Sequence, residues 1–214
     1  MFTISEGPGL MINTITSLQL LRSVFNPQEI FSGLAGTEPA PGRILLRYTL
    51  WLLLLPPLFS LIGGYTFGWR LGAAQPLMFP VGTLLLISVA YFIVLVFGFV
   101  STAIISRWMA STYGASDALG LHFALVGIVG EPLALASVAH LFPDVFFNVL
   151  VMIPAMIWSM YLLYTGIPVV LGIPPERGML MASSLVGWLL VAAVSLLGLT
   201  MGLWVAGVGP ALAV

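Results

Sequence analysis

The sequence contains no cysteine and no lysine, and charged residues make up only 6% of its 214 residues. Without cysteine, the chain cannot form disulfides, thiolate metal sites, thiol nucleophiles or palmitoylation sites. Soluble proteins carry about a quarter charged residues, so this composition excludes a soluble domain. A net charge of -1 provides neither a basic field for nucleic acid nor a polybasic patch for anionic lipid. Nucleic acid is therefore excluded as a partner.

Apolar residues fill 60% of the sequence, and the mean hydropathy is +1.15. Five stretches reach the roughly 20 apolar residues that a helix needs to cross about 30 Å of hydrocarbon. We place them at 44–65, 80–105, 119–140, 145–171 and 179–205, with loops at 69–76, 106–117, 143–144 and 174–178. The predicted fold class is all-α, a polytopic membrane protein with five transmembrane helices. The lipid bilayer is its expected partner, and other membrane proteins are candidate partners.

The N-terminal segment 1–42 is expected to lie in the cytoplasm or at the membrane interface, and 43–214 to form one five-span membrane domain. Residues 1–9 do not resemble a secretory signal. Helical spacing of apolar residues at 10–25 predicts an amphipathic helix in the interface plane. Asn26 as N-cap and Pro27 at the first helical position predict a second, short helix to Leu34, ended by the Gly- and Pro-rich run 36–42.

Arginine positions predict the orientation, because cytoplasmic loops carry the excess of positive charge. On the predicted topology five arginines lie on one side and only Arg70 on the other. The five are Arg22, Arg43, Arg47, Arg107 and Arg177. The N-terminus is therefore expected in the cytoplasm and the C-terminus, after five spans, on the far side.

Prolines inside three of the spans predict kinked helices. They are Pro56, Pro57, Pro132, Pro154 and Pro168. Each removes a backbone N–H and frees the carbonyl four residues earlier, which needs a protein or water partner inside a bilayer. We expect the kinked helices to pack around a shared interior that contains hydroxyl groups.

The fourth stretch carries an aromatic and hydroxyl-bearing stripe at helical spacing, which is predicted to face protein rather than lipid. It consists of Pro154, Trp158, Tyr161, Thr165 or Tyr164, and Pro168. Tyr161 and Tyr164 could be a ligand-facing pair, with Trp158 beside them. Alternatively, they belong to the aromatic belt found near span ends.

Glu131 is the sharpest single candidate, because an ionisable side chain in mid-span costs roughly 2.5 to 3.5 kcal/mol on insertion scales and normally faces the bundle interior. It is either a proton or cation site beside Pro132, or a protonated structural acid that ties helices together. His122 and His140 lie nine residues before and after it, on the opposite side of the helix. They are expected to be interface histidines, and no metal site is predicted.

Two further features have alternative interpretations. Glu176 and Arg177 could form a partner-docking point, or simply a solvated turn that fixes orientation. Gly198 and Gly202 have the G-x-x-x-G spacing of close helix contacts, and we expect packing within the monomer rather than dimerisation. No H-E-x-x-H, G-x-S-x-G or phosphate-binding loop occurs in the sequence, so neither an enzyme nor a cofactor is predicted.

Three motifs over residues 26–205 resemble those of one known family. The first is Asn-Pro-Gln-Glu-Ile-Phe at 26–31, followed by Pro56-Pro57 and the glycine-rich run 63–68; the second is Phe142-Pro143 at the end of the third stretch. The most specific spans 161–174 and has Tyr161, Tyr164, Gly166, Pro168, Gly172 and Pro174. The chain thus resembles the bacterial branch of the Yip family of five-span membrane proteins.

The resemblance implies a cytosolic N-terminus and five spans, and it provides no established activity for the bacterial branch. Eukaryotic members are associated with Rab-type GTPases and vesicle traffic. This sequence lacks their long cytosolic N-terminal region and their acidic Tyr-Gly-Pro motif, which weighs against a Rab-type partner. The predicted function is a non-enzymatic scaffold or adaptor for other membrane components. The alternative is a small channel or cation-coupled transporter that uses Glu131. The oligomeric state is left open.

Overall fold

The structure is a computed structural model that describes residues 26–70 and 75–205, apart from the side chains of residues 203 and 204. The interface helix predicted at 10–25 lies outside these residues. A short pre-membrane helix, Pro27–Leu34, precedes five long apolar helices that we call the first to fifth spans. These are Pro41–Phe67, Val81–Tyr113, Leu119–Leu141, Val145–Leu171 and Pro175–Val205. The all-α, five-span prediction is confirmed.

Two predicted loops are wrong in part because the helices extend into them. The second span continues through 106–113 and ends where Gly114 adopts a left-handed conformation, with φ at 71°. The fifth span begins at Pro175, since proline lacks only an N–H that the first helical turn does not use. Glu176 and Arg177 therefore lie in the first turn of a helix and not in the connecting loop.

The first and third spans are not uniform α-helices. In the first, a π-helical turn at Leu45–Thr49 separates Pro41–Ile44 from Leu50–Phe67. The third is α-helical over Leu119–Ala136 and ends in a 3₁₀ segment, Ser137–Leu141. All five predicted intraspan prolines do lie inside helices.

The third span is the most buried of the five. In its most apolar window 61% of residues are buried, against 11–28% in the other spans. Close contacts at glycines explain this. At Gly120 an added methyl group would overlap the carbonyl oxygen of Pro39, and at Gly63 of the first span it would overlap the backbone of His140. Glycine at these positions lets other segments approach the third span at backbone distance.

The pre-membrane helix begins at Pro27 with Asn26 at the N-cap position, as predicted, but the Asn26 side chain makes no capping hydrogen bond. Its Phe31 is only 1% exposed and belongs to the main core. This core also contains Leu125 of the third span, Leu162 and Ile167 of the fourth, and Met181 of the fifth. The short helix is thus anchored in the bundle by one aromatic ring.

The loops that follow the first and third spans meet at one end of the bundle, and the loops that follow the second and fourth spans meet at the other. At one end the backbone N–H of Arg70 donates to Pro143 O at 2.9 Å. At the other end the N–H of Ser116 donates to Leu171 O at 3.0 Å, and Arg107 Nε donates to Asp117 O at 2.9 Å. Loops after odd-numbered spans therefore share one end, as antiparallel neighbours require.

Candidate functional site

The third and fourth spans and the pre-membrane helix meet at Gly166. A methyl group added there would lie 2.8 Å from the Phe31 ring and 2.8 Å from Leu125 Cδ1, so glycine is needed for the ring to fit. Phe31 comes from the motif at 26–31 and Gly166 from the motif at 161–174. The two sequence motifs therefore form one packing junction.

The rest of the 161–174 motif connects the fourth and fifth spans. Tyr164 Oη lies 2.9 Å from Ser183 Oγ, and the Pro168 ring packs on Gly178, where an added methyl group would be 3.0 Å away. Gly172 ends the fourth span in a left-handed conformation, with φ at 69°. These contacts give the motif a structural role at one end of the bundle.

The aromatic stripe of the fourth span faces protein only in part: Trp158 and Tyr164 pack against the main core, whereas Pro154 and Tyr161 are exposed, so the prediction was wrong for those two residues. Pro154 is exposed, Tyr161 is 41% exposed, and the Trp158 ring stacks on Tyr161 with centroids 5.0 Å apart. The inward face instead carries Ala155, Ser159, Leu162, Gly166 and Val170. Small side chains on this face allow the fourth span to pack closely on the third, which leaves the bulky stripe at the edge.

Glu131 is 2% exposed on the third span, and the adjacent Pro132 is also buried. This is the interior position expected of an intramembrane acid. Because Pro132 has no N–H, the carbonyl of Ile128 lacks its usual helical donor. Acidic and carbonyl oxygens therefore lie within one helical turn of each other in the most buried span.

Tyr48 and Thr49 lie in the π-helical turn of the first span and face the third span at Gly127, one helical turn before Glu131. A methyl group added at Gly127 would lie 3.1 Å from Tyr48 Cε1 and 3.5 Å from Thr49 Oγ1. In the part of the chain that the structure describes, four buried side-chain polar atoms have no hydrogen-bond partner. They are Tyr48 Oη, Thr49 Oγ1, Trp158 Nε1 and Ser159 Oγ.

Sequence reasoning missed Tyr48 and Thr49 as candidate site residues. Their signal was present, because two adjacent hydroxyl side chains inside an apolar stretch are costly unless they face protein. The π-helical turn that directs both toward Gly127 could not be predicted, since it depends on packing between the spans.

His122 is fully buried, which corrects its prediction as an interface histidine. Its Nε2 lies 2.9 Å from Ser116 O and its Nδ1 lies 2.9 Å from Ser106 Oγ. A carbonyl oxygen only accepts, so Nε2 carries the proton. Both ring nitrogens are thus occupied in joining the second and third spans. Among residues 26–70 and 75–205, no group of three or more His, Asp or Glu side chains could hold a metal ion.

Glu176 and Arg177 are both exposed at one end of the bundle. A methyl group added at Gly114 would lie 3.3 Å from Arg177 Nη1, so the guanidinium group lies beside the start of the loop between the second and third spans. Gly198 and Gly202 have no atom within 4 Å of an added methyl group, so their predicted packing within the monomer is wrong for the described bundle.

Five long apolar helices, the third largely buried against its neighbours, define a polytopic α-helical membrane protein. A profile of the Yip1 domain matches residues 21–207. Inner membrane protein YohC of Escherichia coli K12 is 31% identical over 158 residues, which are 74% of this chain and 81% of that protein. YohC of Escherichia coli O6:H1 strain CFT073 gives the same values, and no solved structure matches. The chain belongs to the Yip1 domain family.

Proposed function

We propose that this Yip1 family protein is a non-enzymatic membrane scaffold that holds transmembrane helices of other proteins against its outer spans. The observation that carries this proposal is the open surface of the fifth span after Leu185. Val194 is 69% exposed and Val205 is 88% exposed, whereas Leu185, in the packed half, is 1% exposed. Half of a span therefore has a surface available to neighbours.

The open half also has the chemistry of a helix-packing surface. In a bilayer, apolar side chains gain little from leaving lipid, so helices associate through close packing at small residues. Gly198 and Gly202 are one turn apart on this half, and both have open space around them. A partner helix could approach them at backbone distance.

The inner membrane of a bacterium is the proposed location, supported by the name of the YohC relatives as inner membrane proteins. The proposed orientation has the N-terminus in the cytoplasm and the C-terminus outside. The distribution of arginines supports this orientation. Arg107 and Arg177 lie at the bundle end opposite to Arg70, and the end with more arginines is expected to face the cytoplasm.

Reporter fusions test this orientation without relying on the ends of the chain. A periplasm-active phosphatase fused after Asp144 should be active, and the same enzyme fused after Gly114 or Gly172 should be inactive. The reverse pattern would show that the bundle is inserted the other way round.

Photo-crosslinking tests the scaffold itself. A photoreactive amino acid placed at Val194 in native membranes should form discrete adducts with other membrane proteins, because the described residues leave this position largely exposed. The same residue at Leu185 is the matched control, since it is buried on the same span and should crosslink only within the chain. Adducts at Val194 with lipid alone, or only with a second copy of the chain, contradict a scaffold for other proteins.

A further inference from the structure

We propose that Thr49 and Tyr48 hold ordered water at the contact between the first and third spans. The site lies inside the bundle beside Gly127, away from the packing junction at Gly166. It consists of two hydroxyl groups and needs no ionised side chain. Its ligand is the smallest neutral molecule that both donates and accepts hydrogen bonds.

The hydroxyl group of Thr49 differs from those of other threonines in the spans. A threonine in a helix can satisfy its hydroxyl group by donating to the carbonyl four residues earlier. Four threonines of the spans do so, at 2.6 to 2.8 Å: Thr66 with Ile62 O, Thr102 with Gly98 O, Thr165 with Tyr161 O, and Thr200 with Leu196 O. Thr49 is fully buried, and its Oγ1 has no hydrogen-bond partner among residues 26–70 and 75–205.

The π-helical turn explains this difference. In that turn the backbone N–H of Leu50 donates to Leu45 O, which belongs to the residue four positions before Thr49. A π-helical hydrogen bond encloses one residue more than an α-helical one, so Thr49 is displaced from the place that an α-helix would give it. Its hydroxyl group is thereby released from its own helix and faces the third span. Such turns are frequent at functional sites.

The side chains of Thr49 and Tyr48 converge on Gly127. A methyl group added at Gly127 would lie 3.5 Å from Thr49 Oγ1 and 3.1 Å from Tyr48 Cε1. Tyr48 Oη is two bonds from Cε1, is buried, and also has no hydrogen-bond partner in the described part of the chain. Because Gly127 has no side chain, both residues can lie against the backbone of the third span. Two buried hydroxyl groups therefore face one point of that span.

The chemistry of the two groups defines the ligand. A hydroxyl group is uncharged, and it can donate one hydrogen bond and accept two. Leaving it without a partner inside a bilayer is costly, since no bulk water reaches it there. An ordered buried water makes about three hydrogen bonds and is found where polar groups of the protein would otherwise lack partners. Water can donate to one hydroxyl group and accept from the other, whereas an ion would need a compensating charge that hydroxyl groups do not provide.

The sign of a stability change tests the site in the whole purified chain in nanodiscs. Thr49→Val keeps the shape of the side chain and removes its hydroxyl group. If water bonds to that group, the thermal midpoint should fall by about 2 to 4 °C, because the water loses a partner. If the hydroxyl group has no ligand, valine removes an unsatisfied polar group and the midpoint should rise. Thr102→Val is the matched control, since Thr102 is also buried but bonds within its own helix.

A double-mutant cycle tests whether the two hydroxyl groups share the water. Tyr48→Phe should lower the midpoint as Thr49→Val does. The variant that carries both changes should lose less than the sum of the two single losses, because the first change already disrupts the shared water. Additive losses would show that the two hydroxyl groups act separately and would overturn the shared site.

Hydroxyl-radical labelling with pulsed X-rays detects the water without a variant that has to fold. The radicals form from water, so a buried side chain is labelled only where water lies beside it. Tyr48 should be labelled in the wild-type chain, and Phe31, a ring only 1% exposed in the main core, should not. The label at Tyr48 should fall in Thr49→Val and persist in Thr49→Ser, which keeps the hydroxyl group. A Tyr48 as unlabelled as Phe31, or a midpoint that rises in Thr49→Val, overturns the proposal.

Discussion

The third span and the outer half of the fifth span are both apolar helices, but they occupy opposite environments. The third is buried for most of its length, whereas no residue of the fifth is fully buried after Leu185 in the described structure. The third span also contains Glu131, His122 and close-packed glycines. Polar residues and tightly enclosed glycines, rather than apolar content, therefore identify the central helix of this bundle.

The two regions also use glycine differently. Gly120 and Gly127 of the third span lie against other segments, whereas Gly198 and Gly202 of the fifth lie in open space. In the first case glycine is required by contacts that already exist. In the second it permits a contact that another chain could make.

The largest expected effect is at the aromatic anchor of the buried region. Phe31→Ala should lower the free energy of unfolding by about 3 kcal/mol, because it removes a buried ring and leaves a cavity between three segments. Phe97→Ala is the control, since Phe97 is 71% exposed on the second span. Equal midpoints for the two variants in detergent unfolding would show that Phe31 is not anchored in the core.

Gly120→Ala should cost about 1 to 3 kcal/mol, because the new methyl group would overlap the Pro39 carbonyl oxygen. Gly130→Ala, on the same span with open space around it, should be nearly neutral. The same thermal measurement checks both. A neutral Gly120→Ala would mean that the segment before the first span does not lie on the third.

Ser106→Ala should cost about 1 to 2 kcal/mol, since it leaves the buried His122 Nδ1 without its partner. Ser111→Ala is a suitable control, because its hydroxyl bonds to Trp108 O at an exposed position of the same span. If both variants unfold at the same temperature, the histidine does not join the second and third spans.

The smallest effect is expected in the open half of the fifth span. Gly198→Ala should change the stability of the purified chain by less than about 0.5 kcal/mol, because no atom of the described residues lies within 4 Å of the added methyl group. In native membranes the same change should weaken the adducts formed from a photoreactive residue at Val194. A large loss of stability in the purified chain would place Gly198 inside the bundle.

The spans could be predicted from the sequence, because their apolar runs are long enough to cross a bilayer; the bounds of Val145–Leu171 were predicted without error. The second span was predicted too short, since Ser106 and Arg107 read as loop residues but continue a helix that Gly114 ends. The burial of Glu131 also followed from its charge.

Which face of the fourth span is buried could not be predicted, because aromatic and small residues alternate around it. Side-chain chemistry favoured Tyr161, whereas the packing requirement at Gly166 decided the outcome. Tyr48 and Thr49 lie beside Gly127 because of a π-helical turn that the sequence pattern does not show. Local patterns therefore identified the helices, and contacts between helices determined the candidate site.

The enclosure of the third span and the openness of the outer half of the fifth can be tested on the unmodified chain. A lipid-soluble diazirine probe, photolysed in nanodiscs that contain only this protein, labels side chains that contact lipid. Mass spectrometry should find strong labelling between Leu189 and Val205 and little between Leu121 and Ala134. Equal labelling of the two segments would show that the third span is as open to lipid as the outer half of the fifth.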